Sequence, residues 1–248
     1  MTTTIAISGK GGSGKTTLTA MIIRYLVEQE KAGAVLAVDA DPNSCLGLAL
    51  GVEPECVIAD IRENALSKKE NEPGMDKLRT VEYGIQQAVT EAKGFDLLTM
   101  GRPEGPSCYC AVNNMLRKFL DKLSSQYQYV VIDNEAGMEH LSRRTTNNVD
   151  LLCIAAEKTP VGIITARRII ELAENLPIIV RKKGIIWNKT VQIEEPDALN
   201  EVENLGFIPY DDNVFTGSSR GENVYELDKN NPAFLEVAKI LTIALCCA

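Results

Sequence analysis

The chain has 248 residues, with 26 Lys plus Arg against 34 Asp plus Glu, and so a net charge of −8 at neutral pH. Its 45 % apolar and 24 % charged residues exclude global disorder, and the acidic balance argues against binding nucleic acid or anionic membrane through bulk charge. No run approaches the about 20 apolar residues of a spanning helix. The start, Met1-Thr2-Thr3-Thr4-Ile5, lacks the features of a leader, so a cytoplasmic location with reduced thiols is expected. Seven cysteines, an odd number, exclude a complete disulfide set within one chain.

The first element is a strand: Thr3 to Ser8 is β-branched and apolar and stops at Gly9. Leu18, Met21, Ile22, Tyr25 and Leu26 then follow with the period of an amphipathic helix. Polar, charge-rich Glu53 to Lys93 reads as helical insertions at the surface. Further strands are predicted at Ala34 to Val38, Phe95 to Met100, Tyr129 to Ile132, Leu151 to Ala155 and Gly184 to Trp187. Each is continuously apolar, as in a parallel sheet covered by helices on both faces. Helices are predicted at Thr159 to Asn175 and Pro232 to Cys246. With no repeat or linker, the alternation predicts one α/β domain over residues 1–248, built on a doubly wound, mostly parallel sheet.

Gly9-Lys10-Gly11-Gly12-Ser13-Gly14-Lys15-Thr16 fits G-x-x-x-x-G-K-[ST] and lies between a strand and a helix, the context that a phosphate loop requires. Glycines let backbone N–H groups converge on phosphates, and the following helix presents its positive end to them. Lys15 is expected on the β- and γ-phosphates and the Thr16 hydroxyl on Mg²⁺. With Thr17 the segment is expected to bind ATP or ADP. Asp39 and Asp41, at i and i+2, point the same way from an extended strand. Tyr129-Val130-Val131-Ile132-Asp133 is an apolar run ending in an acid, which places Asp133 near Mg²⁺.

Cys108-Tyr109-Cys110 lies in a loop rich in Gly and Pro. Two thiolates half-fill a tetrahedral shell, and a two-fold dimer supplies four, which suits Zn²⁺ and other thiophilic metals. Incidental cysteines or a redox pair remain alternatives. His140, the single histidine, reads as structural, Cys45 as a small buried hydrophobe, and Cys246-Cys247 as a poor site at a fraying end.

The form G-K-G-G-x-G-K-T-T resembles the deviant Walker A motif of the SIMIBI class, which includes MinD/ParA-type ATPases and the nitrogenase iron protein. The resemblance implies that Lys10 reaches the nucleotide of a second subunit, that Asp41 orients the attacking water, and that Asp39 supports the metal site. It also implies that the Gly137 N–H meets the γ-phosphate, although Asp133-Asn134-Glu135-Ala136-Gly137 lacks the proline of the usual D-x-P-A-G. Asn188-Lys189 resembles an adenine-reading segment, and Ile208-Pro209-Tyr210-Asp211 the later base-contacting loop, so that Asn188, Pro209 and Asp211 are expected at the base.

The ordered set G-K-G-G-x-G-K-T-T, D-x-D-P-x-S-C-L-G, G-R-P-E-G-P-x-C-Y-C and D-N-E-A-G-M-E-H-L-S-R resembles the CooC/AcsF-type ATPases. These are accessory proteins in nickel insertion into carbon monoxide dehydrogenase or acetyl-CoA synthase. The resemblance implies a homodimer with Ni²⁺ or Zn²⁺ held between subunits by Cys108 and Cys110 of each, and one of those enzymes as client. Two rivals stand beside it. An iron–sulfur electron donor of the nitrogenase iron protein kind takes cysteines from two separated loops, and none lies between Asp133 and Cys153. A MinD/ParA-type positioning ATPase needs a basic face, and Lys239 is the only basic residue from Pro232 to Ala248.

Overall fold

The β-branched run that opens the chain forms strand β1 (Thr3–Gly9), whose side chains alternate between two apolar cores: Ile5 and Ile7 enter one, Ala6 the other. The computed structural model describes residues 2–29, 33–61, 77–101, 120–135, 148–176, 178–190 and 202–246. In chain order β1 is followed by α1 (Lys15–Glu28), β2 (Val35–Ala40), α2 (Leu46–Leu50), α3 (Lys77–Ala88), β3 (Val89–Ala92), β4 (Phe95–Thr99) and β5 (Tyr129–Asn134). Then come β6 (Asn148–Ala156), α4 (Pro160–Asn175), β7 (Ile179–Thr190), β8 (Glu203–Pro209), α5 (Asp212–Arg220) and α6 (Pro232–Cys246).

The strands make one eight-stranded sheet in the order β3-β4-β2-β5-β1-β6-β7-β8. Every pair is parallel except β3 with β4. The doubly wound, mostly parallel architecture expected from the sequence is the one observed. Leu18, Ile22 and Leu26 of α1 share one core with Phe234, Val237 and Leu241 of α6. Ala166, Ile169 and Ala173 of α4 join the core on the opposite face. The start of α4 is fixed locally: the Thr159 hydroxyl accepts the Gly162 N–H at 3.1 Å, and Pro160 takes the first helical position. After β1 the chain winds toward β2, and after β5 toward β6, so the crevice for a ligand opens at the carboxyl ends of β1, β5 and β6.

Three local expectations need correction. Within Glu53 to Lys93 the helix α3 is present, but Val89–Ala92 is a strand that turns at Lys93-Gly94 and pairs antiparallel with β4 at the sheet edge. Ile58, Ile61, Ile85 and Ala88 of this region are buried, so among its described residues it contributes to the core and is not wholly a surface insertion. Ile208-Pro209 ends the strand β8 and is not wholly loop. The strand predicted at Gly184 to Trp187 extends over all of β7.

Arg24 of α1 is 1 % exposed, an unusual place for a guanidinium. Its Nη1 donates to the carbonyls of Val224 at 2.5 Å and Leu227 at 2.8 Å, and its Nε to Glu28 Oε1 at 2.9 Å. The guanidinium carbon lies 4.2 Å from the Phe234 ring centre. The Val224 N–H donates to the Ala49 carbonyl at 2.9 Å, so the segment after α5 is fastened to both α1 and α2. No helix among the described residues is long and apolar enough to cross a membrane.

Candidate functional site

The Gly9–Thr16 loop joins the end of β1 to the start of α1. Gly14 caps the helix in the left-handed region (φ 84°) and offers no side chain, so the first N–H groups of α1 stay open to an anion. A Cβ at Gly14 would lie 2.5 Å from Asn188 Nδ2, and one at Gly9 2.3 Å from the Ala155 carbonyl. Only glycine fits either position. The Ser13 N–H closes on the Lys10 carbonyl at 3.1 Å. Lys15 is buried, whereas Lys10 and Gly11 are exposed beside a cavity of about 100 Å³ that Glu157 and Thr159 also line.

Asp39 and Asp133 occupy matched positions on adjacent parallel strands, β2 and β5. Both are closed to solvent. Asp39 accepts N–H groups from Leu46 at 2.8 Å and Asp41 at 3.2 Å, yet burial pushes its carboxyl up to about 7, with the Asp133 charge adding to the rise. Burial likewise pushes Asp133 up to about 6, against the pull of hydrogen bonds from Thr16 and Thr19 and of the Lys15 charge. The Thr19 hydroxyl lies 3.2 Å from Asp133 Oδ1 and 2.9 Å from the Lys15 carbonyl. Asp133 Oδ2 has no partner, nor does the buried Ser13 hydroxyl. Asp41, half-buried, holds the turn that follows β2 by accepting the Asn43 N–H and Nδ2 at 2.9 Å each. An orphaned carboxylate oxygen beside a second buried carboxylate and a lysine fits a Mg²⁺-nucleotide: the cation answers the acids, and the glycine loop and Lys15 answer the phosphates.

Next to the loop a cavity of about 360 Å³ is lined by Lys15, Thr17, Asn188, Pro209, Asp211 and Phe215, among others. The three residues expected at a base are thus brought to one cavity with the phosphate loop, but two already hold the scaffold. Asn188 Nδ2 donates to the Ser13 carbonyl at 2.8 Å. Asp211 Oδ1 caps α5, accepting the N–H groups of Asn213 at 2.9 Å and Val214 at 3.0 Å. The apolar wall is Pro209 with the tilted pair Tyr210 and Phe215, ring centres 6.3 Å apart. A larger cavity, about 810 Å³, lies across α5 and is lined by Thr16, Thr17 and Cys45 together with α5 and residues 221–232. Cys45 is exposed there and not buried as its sequence context predicts. Partial desolvation of its sulfur, with the nearby Asp39 charge, still raises the thiol above its ordinary value.

The sequence reading overlooked Thr19 and Phe215, and named Lys189 only beside Asn188 in the adenine-reading segment. Thr19 lies one turn after Lys15, a spacing that places it beneath the loop. Cys108, Cys110, Gly137 and His140 lie outside the described residues, as does Cys247. Among the described residues no group of three or more His, Cys, Asp or Glu side chains gathers as a metal site.

Residues 4–224 match the CobQ/CobB/MinD/ParA nucleotide binding domain. The chain belongs to this nucleotide-binding family. Within it, a CbiA/MinD/ParA-type P-loop ATPase, the chain is 41 % identical over 244 residues to an ATP-binding protein of Methanocaldococcus jannaschii, covering 95 % of this chain and 96 % of that one. It is 32 % identical over 265 residues to the carbon monoxide dehydrogenase accessory protein CooC of Rhodospirillum rubrum, covering 97 % and 95 %. The fold is that of MinD: the Aquifex aeolicus cell division protein superposes with a TM-score of 0.71 at 23 % identity over 98 % of this chain and 97 % of that one.

Proposed function

We propose that this family member is an ATP-hydrolysing, homodimeric metallochaperone that supports nickel insertion into carbon monoxide dehydrogenase or acetyl-CoA synthase. The observation that carries the reading is the 32 % identity to CooC over nearly the whole of both chains. The Cys108-Tyr109-Cys110 sequence supports it, supplying half of a four-thiolate site in each of two subunits.

In this reading Lys15, held inside the loop, pairs with the β- and γ-phosphates, and the open N–H groups of the loop and of α1 hold the remaining phosphate oxygens. Thr16, Asp133 and Asp39 would hold Mg²⁺, which would neutralise phosphate charge when bound. Asp41, half-buried in the turn after β2, orients the attacking water. The Gly137 N–H meets the γ-phosphate. Lys10, exposed at the lip, reaches the nucleotide of the second subunit, so that hydrolysis loosens the dimer. Rearrangement of the dimer then alters the grip of the paired thiolates on Ni²⁺ or Zn²⁺, and the client receives the metal.

The test is anaerobic measurement of bound Ni²⁺ or Zn²⁺ and of oligomeric state, with and without Mg-nucleotide, in the parent and in Cys108→Ser/Cys110→Ser. One thiophilic metal per dimer in the parent, lost in the double variant, supports the reading. A double variant that still binds one tight metal per dimer overturns it.

A further inference from the structure

Asn188-Lys189 enters as a base reader, yet both side chains are occupied elsewhere. Asn188 Nδ2 donates to the Ser13 carbonyl at 2.8 Å and Lys189 Nζ to the Gly12 carbonyl at 2.6 Å. Two consecutive residues at the end of β7 thus hold two consecutive carbonyls of the phosphate loop. The Asn188 amide is engaged at its other end too, Oδ1 accepting the Lys189 N–H at 3.0 Å. The Lys189 ammonium lies 3.2 Å from Glu157 Oε1, at the carboxyl end of β6. Lys189 sits at φ 57°, the left-handed region, which a residue with a side chain occupies only where its surroundings hold it.

Peptide planarity gives these contacts a consequence. In a trans peptide the carbonyl and the next N–H point to opposite sides, and the described residues contain no cis bond. Drawing the Gly12 and Ser13 carbonyls toward β7 turns the Ser13 and Gly14 N–H groups away from it. The first closes on the Lys10 carbonyl, and the second belongs to the N-cap residue of α1, whose opening N–H groups form the anion-binding end of the helix. Free carbonyls turned inward would repel phosphate.

We propose that Asn188 and Lys189 are positioning residues for the phosphate loop, setting affinity for the phosphates of the nucleotide through the Ser13 and Gly12 carbonyls. This rests on the nucleotide reading above. It separates from a base-reading role because inorganic pyrophosphate has phosphates and no base, and does not reach Pro209 or Phe215.

The experiment is calorimetric binding of pyrophosphate and of MgADP to the parent and to Asn188→Ala, Lys189→Met, Lys189→Gly and Lys189→Arg, with unfolding temperatures read alongside. The Lys189 side chain is 40 % exposed, so its replacement leaves the core intact. Lys189→Gly removes the tether while relieving the left-handed backbone, which separates the tether from strain. Loss of a charge-assisted bond predicts that Asn188→Ala, Lys189→Met and Lys189→Gly each weaken pyrophosphate and MgADP together, by about ten-fold or more, with Lys189→Arg near the parent. Pyrophosphate affinity within about two-fold of the parent in Lys189→Met and Lys189→Gly overturns the proposal, whether MgADP is weakened, as for base readers, or unchanged. A parent that binds neither ligand overturns the nucleotide reading itself, and this one with it.

Discussion

Asp39 and Asp133 are direct neighbours across the β2–β5 ladder, two carboxylates side by side where neither is more than 1 % exposed. The Asp39 carboxyl, held at about 7 in the folded chain, ionises near 4 when unfolded. The folded state therefore binds its proton more tightly. The stability this confers is fully present below pH 4 and is lost as pH rises through 7. Without nucleotide or Mg²⁺, the unfolding temperature is expected to fall as pH rises from about 4 to about 7 and to level off above that. Each pKa unit corresponds to about 1.4 kcal/mol. Scanning calorimetry on Asp39→Asn is expected to show a clearly flatter profile; an unchanged slope would assign the pH dependence to other groups.

In the proposed function Lys15 and Asp41 carry different parts of the reaction. Lys15→Ala removes the buried cation that meets the phosphates, and is expected to lower both MgADP affinity and turnover. Asp41→Asn keeps the Asn43 turn and loses the orienting charge. Its ATP turnover is expected to fall by about 100-fold or more with MgADP affinity within a few-fold of the parent. Phosphate-release kinetics and calorimetry separate the two, and normal hydrolysis in both variants would sink the assignment.

Arg24→Ala would leave the Val224 and Leu227 carbonyls without their donor and open a cavity against Phe234. Removing one side of such a buried network is expected to destabilise the fold by about 3–5 kcal/mol. Arg24→Lys is expected to recover only part, because an ammonium does not reproduce the guanidinium fork. Urea denaturation measures both.

Phe215, 59 % exposed and tilted against Tyr210, is an apolar ring in the lining of the cavity beside the phosphate loop, where the nucleotide reading puts the base. Phe215→Ala is expected to weaken MgADP by about 1–3 kcal/mol, the range for a base stacked on a ring. Pyrophosphate binding is expected to stay unchanged, and equal loss of both ligands would count against a stacking role.

What the sequence made legible was what local chemistry writes. The continuous apolar run of β1, the glycines after it and the period of α1 each need only neighbouring residues to be read, and together they locate the phosphate site. Strands β3 and β8 escaped because both lie at sheet edges: Val-Thr-Glu-Ala is short and half-buried, and of Glu203–Pro209 only Ile208 is buried. The expected surface insertion contained core residues because charge-rich flanks hid Ile58, Ile61 and Ile85. In the site, Asn188 and Asp211 line the cavity beside the phosphate loop, with side-chain partners that the sequence did not foresee. The Lys189 contact with Gly12 joins positions 177 residues apart, a relation that no local pattern encodes.

Helix α5 has no buried residue along its length, although it separates two cavities and carries one wall of each. Its identity as a helix is secured from outside, by the Asp211 cap at one end and by Gly221 with the Arg24-anchored segment at the other. Substitutions along its body, except at Val214, which packs against the core, therefore carry little cost to folding while altering what the adjoining cavities accept. That makes α5 the natural place to reshape both cavities: a stretch of surface with the freedom of a loop and the geometry of a helix.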